Sequence, residues 1–242
     1  MTVKQLLSKT TPKYVAVLPH VSEIALLGRA DLGFWRDRMK PDRLVPEEFD
    51  GKARVLISAI ESKFLGLTFR EVCISVFARR EDDGDGRQGI YLAAAFNTSR
   101  IFATMERAFF STPYQRGEIE LAVHLPGAIR LTGVSGGSLR LAMSAAPVGK
   151  GRTPSRTGIE GWDGVVFLPG TGRDRNKVGK WFLARIGGQT QAYAFSPTDD
   201  VVAIEHATGL PSLRAITDSG FSGEEWTIRE DSAHARTKTF SS

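Results

Sequence analysis

This 242-residue chain lacks most of the features that would make a function readable at once. Cys73 is its only cysteine, so no intramolecular disulfide can form, and a reducing, cytoplasmic setting is expected. No apolar run approaches the ~18 residues that a membrane span requires, so no membrane partner is expected. The stretch MTVKQLLSKTTPKYVAVLP has neither an uninterrupted apolar core nor a small-residue cleavage site, and no secretory signal is expected. The four histidines, His20, His124, His206 and His234, are far apart and share no ligand spacing. There is no GxSxG elbow. VGKGRTPS at 148–155 lacks the spacing of a phosphate loop, and GVSGGS at 133–138 is not a dinucleotide fingerprint but reads as a turn or bulge. No internal repeat is detected. Neither a metal nor a cofactor is therefore expected.

What is present is an ordinary globular composition, 41% hydrophobic and 24% charged, long enough to bury a sizeable core. The net charge of +5 is moderate, and part of it sits in Arg173, Arg175, Lys177 and Lys180, among glycines and an asparagine. That cluster reads as a solvated loop. A basic patch with no recognition helix or aromatic RNA-binding motif is a poor footprint for nucleic acid, so a small-molecule partner is the preferred reading.

Short apolar runs recur along the chain: Ile24–Leu27, Arg54–Ile60, Phe69–Phe77, Gly89–Phe96, Ile119–His124, Ala128–Gly133, Ser138–Ser144, Gly164–Leu168, Lys180–Ile186, Gln191–Phe195 and Val201–Glu205. Turn-forming clusters separate them, as in Glu81-Asp82-Asp83-Gly84-Asp85-Gly86. This pattern predicts a mainly β (α+β) protein built as an antiparallel barrel or cone with a few helices. Two helices are expected. One covers Leu32–Met39. The other covers 99–112, capped by Thr98 or Ser99 and ended by Pro113, with Ile101, Phe102, Met105, Ala108 and Phe109 on one face packed against the sheet. Pro147 to Arg156 reads as a mobile loop (147–157) within a single domain spanning 1–242.

Two positions attract chemical interest. Arg29 closes an apolar run in LLGRADL, and Glu71 stands in the strand-like GLTFREVCISVF, on a face shared with Phe69, Cys73 and Ser75. The thiol of Cys73 reads as buried and inert, since no histidine lies near it in sequence.

The order of LLGRADL, DRLVPEEFDGKARVLISAIESKFLGLTFREV and IYLAAAFNTSRIFATMERAFFSTPYQRGEIEL resembles the acetoacetate decarboxylase family over roughly residues 14–145. The later GEEWTIREDSAHARTKTF resembles the terminal strands of related decarboxylase-like proteins. The resemblance implies that Arg29 holds a substrate carboxylate, that Glu71 lies beside the reacting centre, that Arg107 matches a family arginine, and that Pro113 precedes the family's adjacent lysines. That family activates a lysine beside another cation and forms a Schiff base. Here Tyr114 and Gln115 occupy those positions, and neither can form an imine.

The expectation is a lysine-independent lyase, isomerase or cyclase acting on a carbonyl-bearing organic acid or polyketide-like metabolite. Glu71 and Tyr114 would be catalytic, with Arg29, Gln115 and Arg107 binding the substrate. Arg29 should then be the cation nearest to Glu71. The alternatives are a non-catalytic small-molecule-binding barrel and a decarboxylase with a relocated lysine, Lys63 lying in an apparent hairpin turn. A homo-oligomer fits any of them.

Overall fold

The computed structural model describes residues 12–81, 89–134, 136–145, 152–170, 179–206 and 210–241. The long β-branched alternation at the start folds as one strand, β1 (Tyr14–Asp31). Asp31 then caps a short helix, α1 (Leu32–Met39), by accepting a hydrogen bond from Phe34 N at 2.6 Å. That helix buries Trp35 and Met39. Small edge strands β2 (Leu44–Pro46) and β3 (Glu48–Phe49) lead into the hairpin of β4 (Lys52–Phe64) and β5 (Leu67–Arg80). Next come β6 (Gly89–Asn97), α2 (Arg100–Phe110) and β7 (Tyr114–Ala122). A meander follows in β8 (Ala128–Gly133) and β9 (Ser138–Ala142), then the long strands β10 (Arg156–Phe167) and β11 (Lys180–Ala194). The chain ends with β12 (Val201–Glu205), α3 (Pro211–Asp218), β13 (Ser222–Thr237) and β14 (Phe240–Ser241). The two runs expected at Lys180–Ile186 and Gln191–Phe195 are one strand, continuous through Gly187-Gly188.

Seven strands pair in a closed ring, in the order β6, β10, β11, β13, β1, β4, β5 and back to β6. The mainly β architecture with a few helices is as expected, and the ring is mixed rather than uniformly antiparallel. Within the ring the β6–β10 pair is parallel, and the outward pair β6–β7 is parallel because the chain returns from β6 to β7 through α2, the kind of crossover that parallel pairing requires. Strand β6 is a branch point. Its first residues, Gly89–Tyr91, pair with β10, while Ala95–Asn97 pair with β7. From β7 the sheet continues outward through β8, β9 and β12.

The two faces of the ring differ. Ile24, Leu26, Ile57, Val72 and Ile74 belong to the main core, with Ile129, Leu131, Leu139 and Leu141 of the outer strands and the buried Trp35 and Trp226. The alternate residues lie on the other face, where Leu92, Ala95, Val166 and Phe182 form a smaller apolar cluster around Tyr114 and Cys73.

One expectation about local structure is corrected here. In α2 the inward residues are Phe102, Ala103, Glu106 and Phe110, and Phe102 packs edge-on against Phe69 and Phe64 with centroids 5.3 and 6.1 Å away. Ile101, Met105 and Phe109, expected against the sheet, are exposed, Phe109 to 73%. The helix is turned because Glu106 has a partner inside. Of the loop expected over 147–157, residues 147–151 lie outside the described residues. Its remainder is anchored, since Arg152 forms an ion pair with Asp200 at 2.6 Å and β10 begins at Arg156. Asp200 also accepts from Ser144 N, Ser196 N and Trp226 Nε1, at 2.9, 2.8 and 3.0 Å. Of the basic cluster, Arg173, Arg175 and Lys177 lie outside the described residues, and Lys180 opens β11.

Candidate active site

Strand register assembles a polar cluster on the second face of the ring. Glu23 of β1 stands opposite Ile60 of β4, Ile60 opposite Glu71 of β5, and Glu71 opposite Asn97 of β6. Cys73 is paired with Ala95, which is paired in turn with Tyr114 of β7. Because directly paired residues share a face, Glu71, Cys73, Asn97 and Tyr114 converge where β6 exchanges β10 for β7.

Within the cluster, Cys73 Sγ donates to Glu71 Oε1 at 3.3 Å and lies 4.0 Å from the Tyr114 hydroxyl. Asn97 Nδ2 reaches Glu71 Oε2 at 3.5 Å, and the nearby Tyr114 hydroxyl favours the ionised form of the same carboxyl. Burial pushes the Glu71 carboxyl up, against the lowering effect of its Tyr114 and Cys73 donors, and the charge of Glu106 pushes it further. Burial and the neighbouring acidic groups also push the Tyr114 hydroxyl well up, so Tyr114 remains a donor. Glu71 and Cys73 keep partial exposure despite this enclosure, so the cluster is reachable.

Around this centre lie two ion-paired groups. Arg229 Nη1 binds Glu23 at 2.9 Å, and His234 Nε2 is 3.4 Å from the same carboxylate. Burial alone would raise the Glu23 carboxyl, but His234 and Arg229 together hold it below the usual range. From α2, Glu106 receives Arg236 on both oxygens at 2.8 and 2.6 Å, and Thr112 Oγ1 donates to it at 3.1 Å. The Arg236 guanidinium lies over the rings of Phe182 and Phe110 at 4.0 and 4.5 Å.

The residues singled out from sequence are therefore divided. Glu71 and Tyr114 are brought together. Arg29 is not beside them: it lies six residues beyond Glu23 on β1, roughly 20 Å along the strand. There it pairs with Glu224 and Asp50 and stacks on Phe49 at 4.9 Å. Among the described residues, His234 is the basic group whose charge acts most on Glu71. Gln115 pairs with Phe96 and so faces the opposite side of the sheet. Arg107 is exposed on the outside of α2. Lys63 lies at the end of β4, exposed, and no lysine among the described residues bonds to the cluster. Sequence reasoning missed Cys73 as a neighbour of Glu71's chemistry, and it missed Glu23, Asn97, Glu106, Arg229, His234 and Arg236. Only the shared face of Glu71 and Cys73 was visible; the rest depends on strands and a helix far away in sequence.

No protein-family model and no curated protein matches the chain. Solved structures do. An acetoacetate decarboxylase-like enzyme from Sphingomonas wittichii RW1 aligns over 92% of this chain and 91% of its own, with a TM-score of 0.56 and 14% identity. The acetoacetate decarboxylase of Legionella pneumophila aligns over 99% and 94%, with a TM-score of 0.58 and 12% identity. The chain has the acetoacetate decarboxylase-like fold. The enduracididine biosynthesis enzyme MppR, complexed with the condensation product of pyruvate and imidazole 4-carboxaldehyde, shares it too, over 96% and 90%, with a TM-score of 0.55 and 12% identity. Proteins of this fold therefore include a decarboxylase and an enzyme that holds a condensation product of two carbonyl compounds. At this level of identity the likeness is one of fold, and the chemistry must be argued from the side chains. No helix among the described residues is long and apolar enough to cross a membrane.

Proposed function

We propose that this protein is an acid–base enzyme that enolises, isomerises or dehydrates a small carbonyl compound without forming an imine. The observation that carries the reading is the convergence of Glu71, Tyr114, Asn97 and Cys73 in one enclosed yet reachable cluster. A carboxylate pushed up by burial is a stronger base once ionised, with an affinity for protons closer to neutral pH. In the proposed step, Glu71 takes the proton from the carbon beside the carbonyl. The C–H electron pair becomes the enolate double bond, and the carbonyl oxygen gains the charge. Tyr114, held protonated, donates a hydrogen bond to that oxygen. The proton held on Glu71 then returns to a different carbon, or to a leaving hydroxyl.

The test is solvent deuterium exchange, followed by NMR for 2-pentanone and for pyruvate in D2O. Enzyme-dependent exchange above the buffer rate is expected for at least one of the two, with a loss of ~10²–10⁴-fold in Glu71→Gln and ~10²-fold in Tyr114→Phe. Borohydride reduction in the presence of the same carbonyl compounds should leave every lysine unmodified. A lysine adduct would overturn the imine-free reading. Full exchange activity in Glu71→Gln would remove Glu71 from the chemistry.

A non-catalytic binding barrel is the second reading, favoured by the pairing of both arginines around the cluster with carboxylates. Tight binding with no exchange would select it.

A further inference from the structure

Two buried donors beside the cluster, Arg236 Nη2 and His234 Nε2, have no hydrogen-bond partner among the described residues. Buried polar atoms are nearly always satisfied, so an orphaned pair beside a reachable site calls for a ligand that satisfies it. The two side chains stand two residues apart on β13 and share a face, with Cα atoms roughly 7 Å apart. Arg236 meets Glu106 through Nη1 alone, at 2.8 and 2.6 Å, and its stacking on Phe182 and Phe110 fixes the plane in which Nη2 projects. His234 Nε2 lies 3.4 Å from Glu23 Oε2, off the line of a hydrogen bond.

The charges around these donors leave room for one anion. Glu23 is matched by Arg229, which also donates to Thr190 at 2.8 Å, and Glu106 is matched by the Nη1 side of Arg236. His234 adds a further cation when its ring is protonated, with a donor at each nitrogen. Glu71 is the remaining carboxyl, and it stands across the ring, since β13 lies opposite the β5–β6 edge that carries Glu71 and Asn97. Leu92, Val166 and Phe182 make the wall beside Tyr114 apolar.

We propose that Arg236 and His234 form an acid-group subsite: Nη2 and Nε2 each donate to one oxygen of a small ligand carboxylate, while the ligand's carbonyl lies toward Tyr114 and Glu71. Hydrogen bonds from such donors to a carboxylate are of the strong, charge-assisted kind. The inference rests on the carbonyl reading above and adds which residues receive the acid group, a role that Arg29, remote along β1, does not fill. One acid group is admitted and not two. Arg229 is committed to Glu23, so a second carboxylate would be buried against the apolar wall without a partner.

Three probes differ by one group at a time. In 2-oxopentanoate a carboxylate replaces the methyl group beside the carbonyl of 2-pentanone, and 2-oxoglutarate carries a second carboxylate at the far end. Each is titrated by ligand-observed NMR at neutral pH against the wild type, Arg236→Lys, His234→Phe and Arg29→Gln, with thermal melts to check folding. The wild type should bind 2-oxopentanoate about tenfold more tightly than either other probe. Arg236→Lys keeps a cation for Glu106 but removes Nη2, so it should lose about tenfold for 2-oxopentanoate and leave 2-pentanone unchanged. His234→Phe should show the same selective loss, and it supplies the measurement if Arg236→Lys melts early. Arg29→Gln should leave all three affinities as they are. The proposal is overturned if the wild type binds 2-pentanone or 2-oxoglutarate as tightly as 2-oxopentanoate, or binds no probe at millimolar concentration. An unchanged preference in either folded β13 variant, or its loss in Arg29→Gln, also overturns it. Failure of the acid–base reading is distinguishable, because it would abolish deuterium exchange and leave these affinities in place.

Discussion

Cys73 donates its thiol hydrogen to Glu71 Oε1 from two residues further along the same strand, at 3.3 Å. The thiol is thus engaged by the very carboxyl that would be the base, and burial, with Glu71 beside it, pushes its ionisation well up. A thiolate is the reactive form. The native protein should therefore react with 5,5′-dithiobis(2-nitrobenzoate) at pH 7.5 at least ~10-fold more slowly than the unfolded chain. Single-cysteine content makes the readout direct, and rapid native labelling would contradict the buried hydrogen bond.

Glu71 should also destabilise the fold at neutral pH. Its carboxyl is raised in the folded state, so the folded protein binds more protons than the unfolded chain between the unfolded and folded values. Stability falls as pH rises through that window. Glu71→Gln removes the cost, and its melting temperature should exceed that of the wild type by roughly 2–4 °C at pH 7.5, equivalent to about 1 kcal/mol for a chain of this size. The difference should shrink towards pH 4. Thermal melts across pH check both parts.

Asp200 has the opposite sign. Burial alone would raise its carboxyl, but Arg152 and the donors from Ser196, Ser144 and Trp226 hold it below the usual range. Its contribution is present at neutral pH and lost as pH falls through the folded value. Asp200→Asn leaves the Arg152 guanidinium without its partner and should cost about 3 kcal/mol in denaturant melts. Because this network is separate from the Glu71 cluster, ligand affinity below the melting temperature should be unchanged.

The orientation of α2 can be tested with two variants. Phe102→Ala removes a ring packed on Phe69 and Phe64 and should cost about 2 kcal/mol. Phe109→Ser, on the exposed side, should shift stability by no more than ~0.5 kcal/mol. The reverse order in chemical denaturation would show that the helix lies the other way round.

The same helix shows how far the sequence could be read. Its existence, its approximate length and a cap at Thr98 or Ser99 follow from local pattern, and the structure uses Ser99. Its orientation does not, because it carries two stripes: Ile101, Met105 and Phe109 form the more apolar one, while the buried stripe includes a glutamate. Glu106 can be buried only because Arg236, 130 positions away, closes on it. Strands were legible for the converse reason, since alternation is local. The candidate cluster was only partly visible in the sequence. Glu71 and Tyr114 could be placed through resemblance, whereas Arg29 could not, because its partners Asp50 and Glu224 occupy it elsewhere on the sheet. Charged partners fixed by register between distant strands leave no local trace.

The double allegiance of β6 has a consequence for how such a protein can change. One end of this strand closes the ring with β10, and the other end hands the sheet to β7, so the segment from Ser99 to Pro113 leaves and returns to the same strand without contributing a ladder pair to the ring. That segment carries α2 with Glu106, and Tyr114 stands at its exit. Substitutions there would change the charge and donors offered to a ligand without removing any of the strand pairings that hold the ring together.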